Sequence, residues 1–227
     1  MRIQLALPEM ELTRLLQRQL TALFVFNSPA EDEALQAGCA YAQERVAYSF
    51  QFHRNKYYRR DGAVYFSPFQ SSQYAIFLYY AAYYLGQQAA TESLADRVYY
   101  LNKALNGVDL YHQTVLPAVF GLDHPVGSVM GRAEYGNYFS FMQGCTVGQN
   151  NGLSPRIGEN VCLMAYAGVL GNSHIGDNCI LGAQALVIDE HIPANSHVFG
   201  RSPHLIVRTK TAEIMRVRSE RWWFATE

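Results

Sequence analysis

From Val129 onward the chain counts in sixes. The units read VMGRAE, YGNYFS, FMQGCT and VGQNNG, then, after four further residues, IGENVC, LMAYAG, VLGNSH, IGDNCI, LGAQAL and VIDEHI. Each opens on an apolar residue: Val129, Tyr135, Phe141, Val147, Ile157, Leu163, Val169, Ile175, Leu181 and Val187. Neither a helix, with a period of about 3.6, nor an ordinary strand, with a period of about 2, generates such a series. The fifth place holds Ala133, Phe139, Cys145, Val161, Ala167, Ser173, Cys179, Ala185 and His191, mostly small, while Gly and Asn gather at the second to fourth places. This pattern predicts a parallel β-helix, with three short faces per coil, bulky residues stacked inside and small ones where the wall bends. An open coil end invites pairing with other chains, and the segment PANSHVFGRSPHLIVRTK with the tail TAEIMRVRSERWWFATE can cover the finish.

The first half carries helical signals instead. Leu12, Leu16, Leu20 and Leu23 recur at helical spacing, with Leu15 beside them, after Pro8 at a first-turn position. A second helix opens at Ser28-Pro29-Ala30-Glu31, where Ser28 and Glu31 can form a capping box. A third runs from about Ser72 to Leu85 and stops at Gly86; a fourth follows Thr91, buries Leu94, Val98, Leu101 and Leu105, and stops at Gly107. Ten tyrosines fall between Tyr57 and Tyr100. An apolar ring with a polar tip suits helix or subunit interfaces, and equally stacking on sugar rings. The basic run Arg54, Lys56, Arg59 and Arg60 reads as a solvated loop, with anion contact as the other reading.

The fold class expected is therefore α+β: an N-terminal helical bundle over residues 1–107, a parallel β-helix over 108–207 and a tail over 208–227. Eighteen basic and nineteen acidic residues leave a net charge of -1, so no broad field draws nucleic acid or anionic lipid. The longest apolar run, YAIFLYYAAYYL, is too short to span a bilayer, and no leader pattern is read at the start, which implies a cytoplasmic protein. Cys39, Cys145, Cys162 and Cys179 show no CxxC spacing; Cys145 and Cys179 fall in small interior slots of the repeat.

At the junction of the two halves stands LDHPVG. Three blocks, VDLYHQTVLPAVFGLDHPVG at 108–127, the repeats at 129–192 and FGRSPHLIV at 199–207, resemble the left-handed β-helix, or hexapeptide-repeat, acyltransferases of the serine acetyltransferase kind. The resemblance implies that His124, in Leu122-Asp123-His124, is the catalytic base and that Asp109, in Val108-Asp109-Leu110, supports it. It implies Asp123 as a residue holding the acceptor, with Ser154 at the acceptor side. It also implies acetyl-CoA as co-substrate, carried in a groove between subunits of a homotrimer, or of a dimer of trimers. Positions matching that groove are Gly148, Ala165, Ala167, Gly182 and Ala183, with Arg201 and Lys210 available for phosphates. A hydroxyl is a poor nucleophile until its proton is removed, so a histidine base suits direct acyl transfer.

One departure bears on the acceptor. Where the family carries Arg-His-Pro after the inserted loop, this chain has Leu153-Ser154-Pro155, so a carboxylate-bearing acceptor loses its obvious partners. The sequence reading therefore favours O-acetylation of a small polyol, a sugar or sugar precursor of a surface polysaccharide pathway, with authentic serine O-acetyltransferase as the alternative. A metal enzyme in the manner of γ-carbonic anhydrases needs three converging imidazoles; His174 and His191 take different places in the repeat, so no metal is expected. A non-catalytic repeat subunit is the remaining reading.

Overall fold

Pro8 closes an extended lead-in, and helix α1 (Glu9–Leu23) begins directly after it. The structure, a computed structural model, describes residues 3–26 and 29–224, so the capping box expected at Ser28 lies outside the described residues. These residues divide into two compact units, one formed by the chain up to Gln51 with Lys56–Gln113, the other by Phe52–Asn55 with Thr114 onward.

In the first unit, α1 buries Leu12, Leu16 and Leu20 as the spacing predicts, while Leu23 in its last turn stays exposed. Helix α2 (Pro29–Ser49) buries Leu35, Cys39, Ala42 and Val46. Helix α3 (Ser71–Leu85) is enclosed nearly all round, as expected of a helix apolar on every face. Its cap is Gln70, whose Oε1 accepts from the amide of Gln73 at 2.6 Å. Helix α4 (Glu92–Asn106) buries Leu94, Val98 and Leu101, leaves Leu105 exposed, and ends at Gly107 with φ 64. Most of the tyrosines pack within this unit: Tyr74, Tyr79 and Tyr80 are buried, and the hydroxyl of Tyr74 donates to Gln19 at 2.6 Å.

One small sheet was not expected there. Strands β1 (Gln4–Leu5), β2 (Arg59–Arg60) and β3 (Ala63–Phe66) form it in the order β1-β3-β2. The β2–β3 hairpin turns at Asp61-Gly62, both with positive φ, the pairing that suits a tight hairpin. The basic run is thus partly structured: Arg59 donates to the carbonyl of Gln51 at 2.6 Å, and Arg60 lies over the Tyr65 ring at 4.0 Å.

The second unit is a three-walled coil. One wall stacks β4 (Phe120–Leu122), β7 (Phe139–Phe141), β10 (Cys162–Leu163) and β13 (Ile180–Leu181). The next stacks β5 (Val129–Met130), β8 (Thr146–Gly148), β11 (Gly168–Leu170) and β14 (Leu186–Ile188). The third stacks β6 (Glu134–Tyr135), β9 (Arg156–Ile157), β12 (His174–Ile175) and β15 (His191–Ile192). All pairs are parallel, and Phe139, Phe141, Cys145, Val147, Val161, Leu163, Ala167, Val169, Leu181, Ala185 and Val187 fill the interior. The fourth unit ends in a tight turn in which Asn150 and Leu153 bridge across Asn151-Gly152, both with positive φ. At the finish β16 (Ser196–Arg201) joins two walls and pairs antiparallel with β17 (His204–Thr209).

Two units of the repeat are five residues long rather than six. Val129 is 40% exposed, and Met130, the ladder partner of Val147, is the interior residue, so the first unit opens at Met130. At the other end Val187 and Ile192 are both interior, which makes His191 an outward residue paired in register with His174 rather than a small interior one. The tail forms α5 (Ala212–Ser219), then returns to the first coil: Trp223 packs edge-on against His53 with centroids 4.8 Å apart. His53 sits against β4, its Nε2 3.1 Å from the carbonyl of Phe120, and burial pushes its imidazole down to about 3.

Candidate functional site

The first coil reaches its corner late. Two residues separate Phe141 from the left-handed corner residue Gly144, whereas four separate Leu122, the ladder partner of Phe141 on the same wall, from Gly127, which lies against Gly144. The surplus forms a bulge, Asp123-His124-Pro125-Val126, tied by the amide of Val126 donating to the carbonyl of His124 at 2.8 Å and that of Ser128 to Pro125 at 3.0 Å. His124 has φ 49, a conformation costing a non-glycine residue about 1–2 kcal/mol. Its side chain is 82% exposed, with Nε2 3.5 Å from Oδ1 of Asp123. The amide of Asp123 is spent on the carbonyl of Phe141 at 3.0 Å, so the backbone of the bulge is anchored while its carboxylate and imidazole face outward.

The corner that follows the first wall recurs in every coil. Val126, at the end of the His124 bulge, stands in one row with Gln143, Ala165 and Ala183, because the amides of Gly144, Tyr166 and Gln184 donate in turn to the carbonyls of Val126, Gln143 and Ala165. Ala165 is half-buried and Ala183 exposed, so two of the residues matched to the co-substrate share the corner that carries His124. Gln143 is the residue that sequence reasoning missed: its Oε1 is buried without a hydrogen-bond partner. The available signal was its place in the repeat, which is that of Ala165 and Ala183.

The other matched positions have different surroundings. Ala167 is fully buried and fills an interior slot, and Gly182 is buried beneath the Phe199 ring. The amide and carbonyl of each are engaged within the coil, those of Ala167 with Met164 and Thr146 and those of Gly182 with Val198 and Ala185. Gly148 is half-buried at the end of β8, and Arg201 and Lys210 are exposed on and after the final hairpin. Ser154 accepts a hydrogen bond from Gln149 at 2.9 Å, beside the Asn151-Gly152 turn.

Asp109 belongs to the first unit and His124 to the second. Within its unit the Asp109 carboxylate accepts from the hydroxyl of Tyr99 at 2.8 Å and from Lys103 Nζ at 2.5 Å. Burial, then the bond to Asp109, raises the Tyr99 phenol above its ordinary value, and the same carboxylate's hydrogen bond raises Lys103. Burial likewise pushes the thiols of Cys162 and Cys179 up, to about 12 and about 11. They stay protonated near neutrality and serve as interior packing.

Comparison with known proteins agrees with this architecture. The family described as "Bacterial transferase hexapeptide (six repeats)" matches residues 154–189. The chain is 33% identical to the serine acetyltransferase of Synechococcus elongatus, over 48% of this chain and 47% of that protein. It is 31% identical to that of Mycobacterium tuberculosis, over 56% of this chain and 57% of that protein. The crystal structure of Neisseria gonorrhoeae serine acetyltransferase in complex with serine superposes with a TM-score of 0.62 at 26% identity, covering 83% of this chain and 81% of that one. The chain spans about half the length of the curated relatives it matches. In repeat, coil and similarity the chain is serine acetyltransferase-like, a helical unit joined to a left-handed β-helix of hexapeptide repeats.

Proposed function

We propose that this chain is an acetyl-CoA-dependent O-acetyltransferase, with serine as its acceptor. The carrying observation is the exposed imidazole of His124, held out of the first coil by a two-residue bulge and faced by the carboxylate of Asp123. His124 takes the proton of the acceptor hydroxyl as its oxygen attacks the thioester carbonyl. The carbon–sulfur bond then breaks, and the proton leaves with the departing thiol. Such base catalysis contributes about 10²–10⁴-fold. Asp123 holds the acceptor. Asp109 is proposed, on the family resemblance, as the carboxylate that fixes the imidazole tautomer and stabilises the imidazolium. The row Ala165 and Ala183 leaves room along the His124 corner for the narrow arm of the co-substrate.

The relatives named above, all serine acetyltransferases, support serine over the sugar acceptor that the sequence favours. Leu153-Ser154 nevertheless supports the polyol as a second reading, because neither side chain pairs with a carboxylate. Incubation with acetyl-CoA and either L-serine or a panel of sugars, followed by thiol release and product mass, separates them. O-Acetylserine is the expected product; acetylated sugar alone supports the second reading, and no transfer to either overturns both.

A further inference from the structure

We infer that His174 and His191 form a chelating site for a divalent transition-metal ion on the third wall of the coil, independent of the acyl-transfer site. The two residues are ladder partners on neighbouring strands β12 and β15, and both point outward, because each immediately precedes an interior isoleucine, Ile175 or Ile192. Parallel strands lie about 4.8 Å apart, so in-register side chains on one face are held close by the backbone itself. Here the rings meet at right angles, with centroids 4.5 Å apart and an interplanar angle of 80°. Their Nδ1 atoms are 3.0 Å apart.

That separation suits an ion. Metal–imidazole bonds of about 2.0–2.1 Å put two cis nitrogens about 2.9 Å apart at a right angle and about 3.3 Å apart at a tetrahedral angle. Without an ion one Nδ1 must carry a proton and donate to the other; with one, both are deprotonated and a small tilt of the rings turns both lone pairs onto the metal. The backbone has already fixed the relative position of the two ligands, so little conformational entropy remains to be lost on binding.

The surroundings leave the site open. Among the described residues no third His, Cys, Asp or Glu completes a cluster, so water or an added ligand fills the other positions. The next ladder position holds Arg156, a cation, but its guanidinium is engaged by Glu134 at 3.4 Å on the side away from the histidines. Two imidazoles with open positions favour copper(II) over nickel(II) and nickel(II) over cobalt(II).

The test is calorimetric titration of the untagged, metal-stripped chain with copper(II), nickel(II) and cobalt(II) chlorides, on the wild type and on His174→Ala, His191→Ala and His204→Ala. His204 is an exposed imidazole on β17 outside the pair. The expected result is one ion per chain, affinities in the order given, and at least about a tenfold loss in each of the first two variants, with His204→Ala unchanged. Both paired side chains face outward, and circular dichroism verifies that each variant keeps its fold. Absence of stoichiometric binding, retained affinity in either paired variant, or equal loss in His204→Ala overturns the inference.

Discussion

A methyl group added at Gly38 in the helical unit would meet the side chain of Leu85 at 3.3 Å and the carbonyl of Ala81 at 3.5 Å. Added at Gly136 in the coil, it would meet the carbonyl carbon and oxygen of Gly158 at 2.5 Å and the amide of Glu159 at 2.6 Å. The helical unit is held by side chains that can shift against one another. The coil is held by backbone stacked on backbone at a fixed spacing, and what one residue displaces, its ladder partners above and below must also give up. The same rigidity that makes the coil intolerant makes it a good platform for outward groups such as His124.

Four measurements bear on this contrast. Phe139→Ala empties an interior slot shared by neighbouring coils and should cost about 3–5 kcal/mol in denaturant unfolding; a loss below about 1 kcal/mol would mean that the walls collapse around the gap as a helix pair can. Gly136→Ala should cost about 1–3 kcal/mol through overpacking. Its counterpart Gly38→Ala should stay within about 1 kcal/mol of wild type, because the gain in helix propensity offsets the mild crowding. If the two glycine substitutions prove equivalent, the distinction between the units fails.

The third contrast concerns pH. His53 belongs with the coil unit, and burial holds its imidazole at about 3, far below the ordinary value near 6.5. The unfolded chain therefore binds a proton that the folded one does not. His53's contribution is fully present above about pH 6.5 and is lost progressively as pH falls from there toward 3. Melting temperature should fall on acidification through this window, and His53→Asn, which keeps a donor for the Phe120 carbonyl, should flatten that fall. An acid limb of unchanged slope in the variant would remove His53 from the account. The smallest expected effect is Leu105→Gln in the last turn of α4, where the side chain is exposed, within about 0.5 kcal/mol.

How much could be read in advance also differs between the two regions. The six-residue beat disclosed the coil, because each face must repeat the same inside and outside choice, and the interior openers from Phe141 to Val187 are buried as the beat requires. It slipped at Val129 and at His191, where a unit of five lets the ladder recover register by shortening a corner. Pairing depends on which residues are stacked and not on the count between them, so a strict count misassigned both. In the helical unit the apolar spacing located α1, α3 and α4, but the exposed Leu23 and Leu105 show that a last-turn leucine on the apolar stripe need not find a partner. The small sheet was missed although Asp61-Gly62 signalled its hairpin, because the strands flanking it are only two and four residues long. Of the candidate site, the motif at Asp123-His124 was legible by resemblance. The bulge that exposes His124 and the row that adds Gln143 required the ladder, since both depend on which residues of distant units lie side by side.

The assignment of His124 as base is tested most directly by the turnover of His124→Ala with acetyl-CoA and serine beside its affinity for acetyl-CoA. Turnover should fall by at least about 10²-fold with affinity retained. Turnover equal to that of the wild-type chain would contradict the assignment.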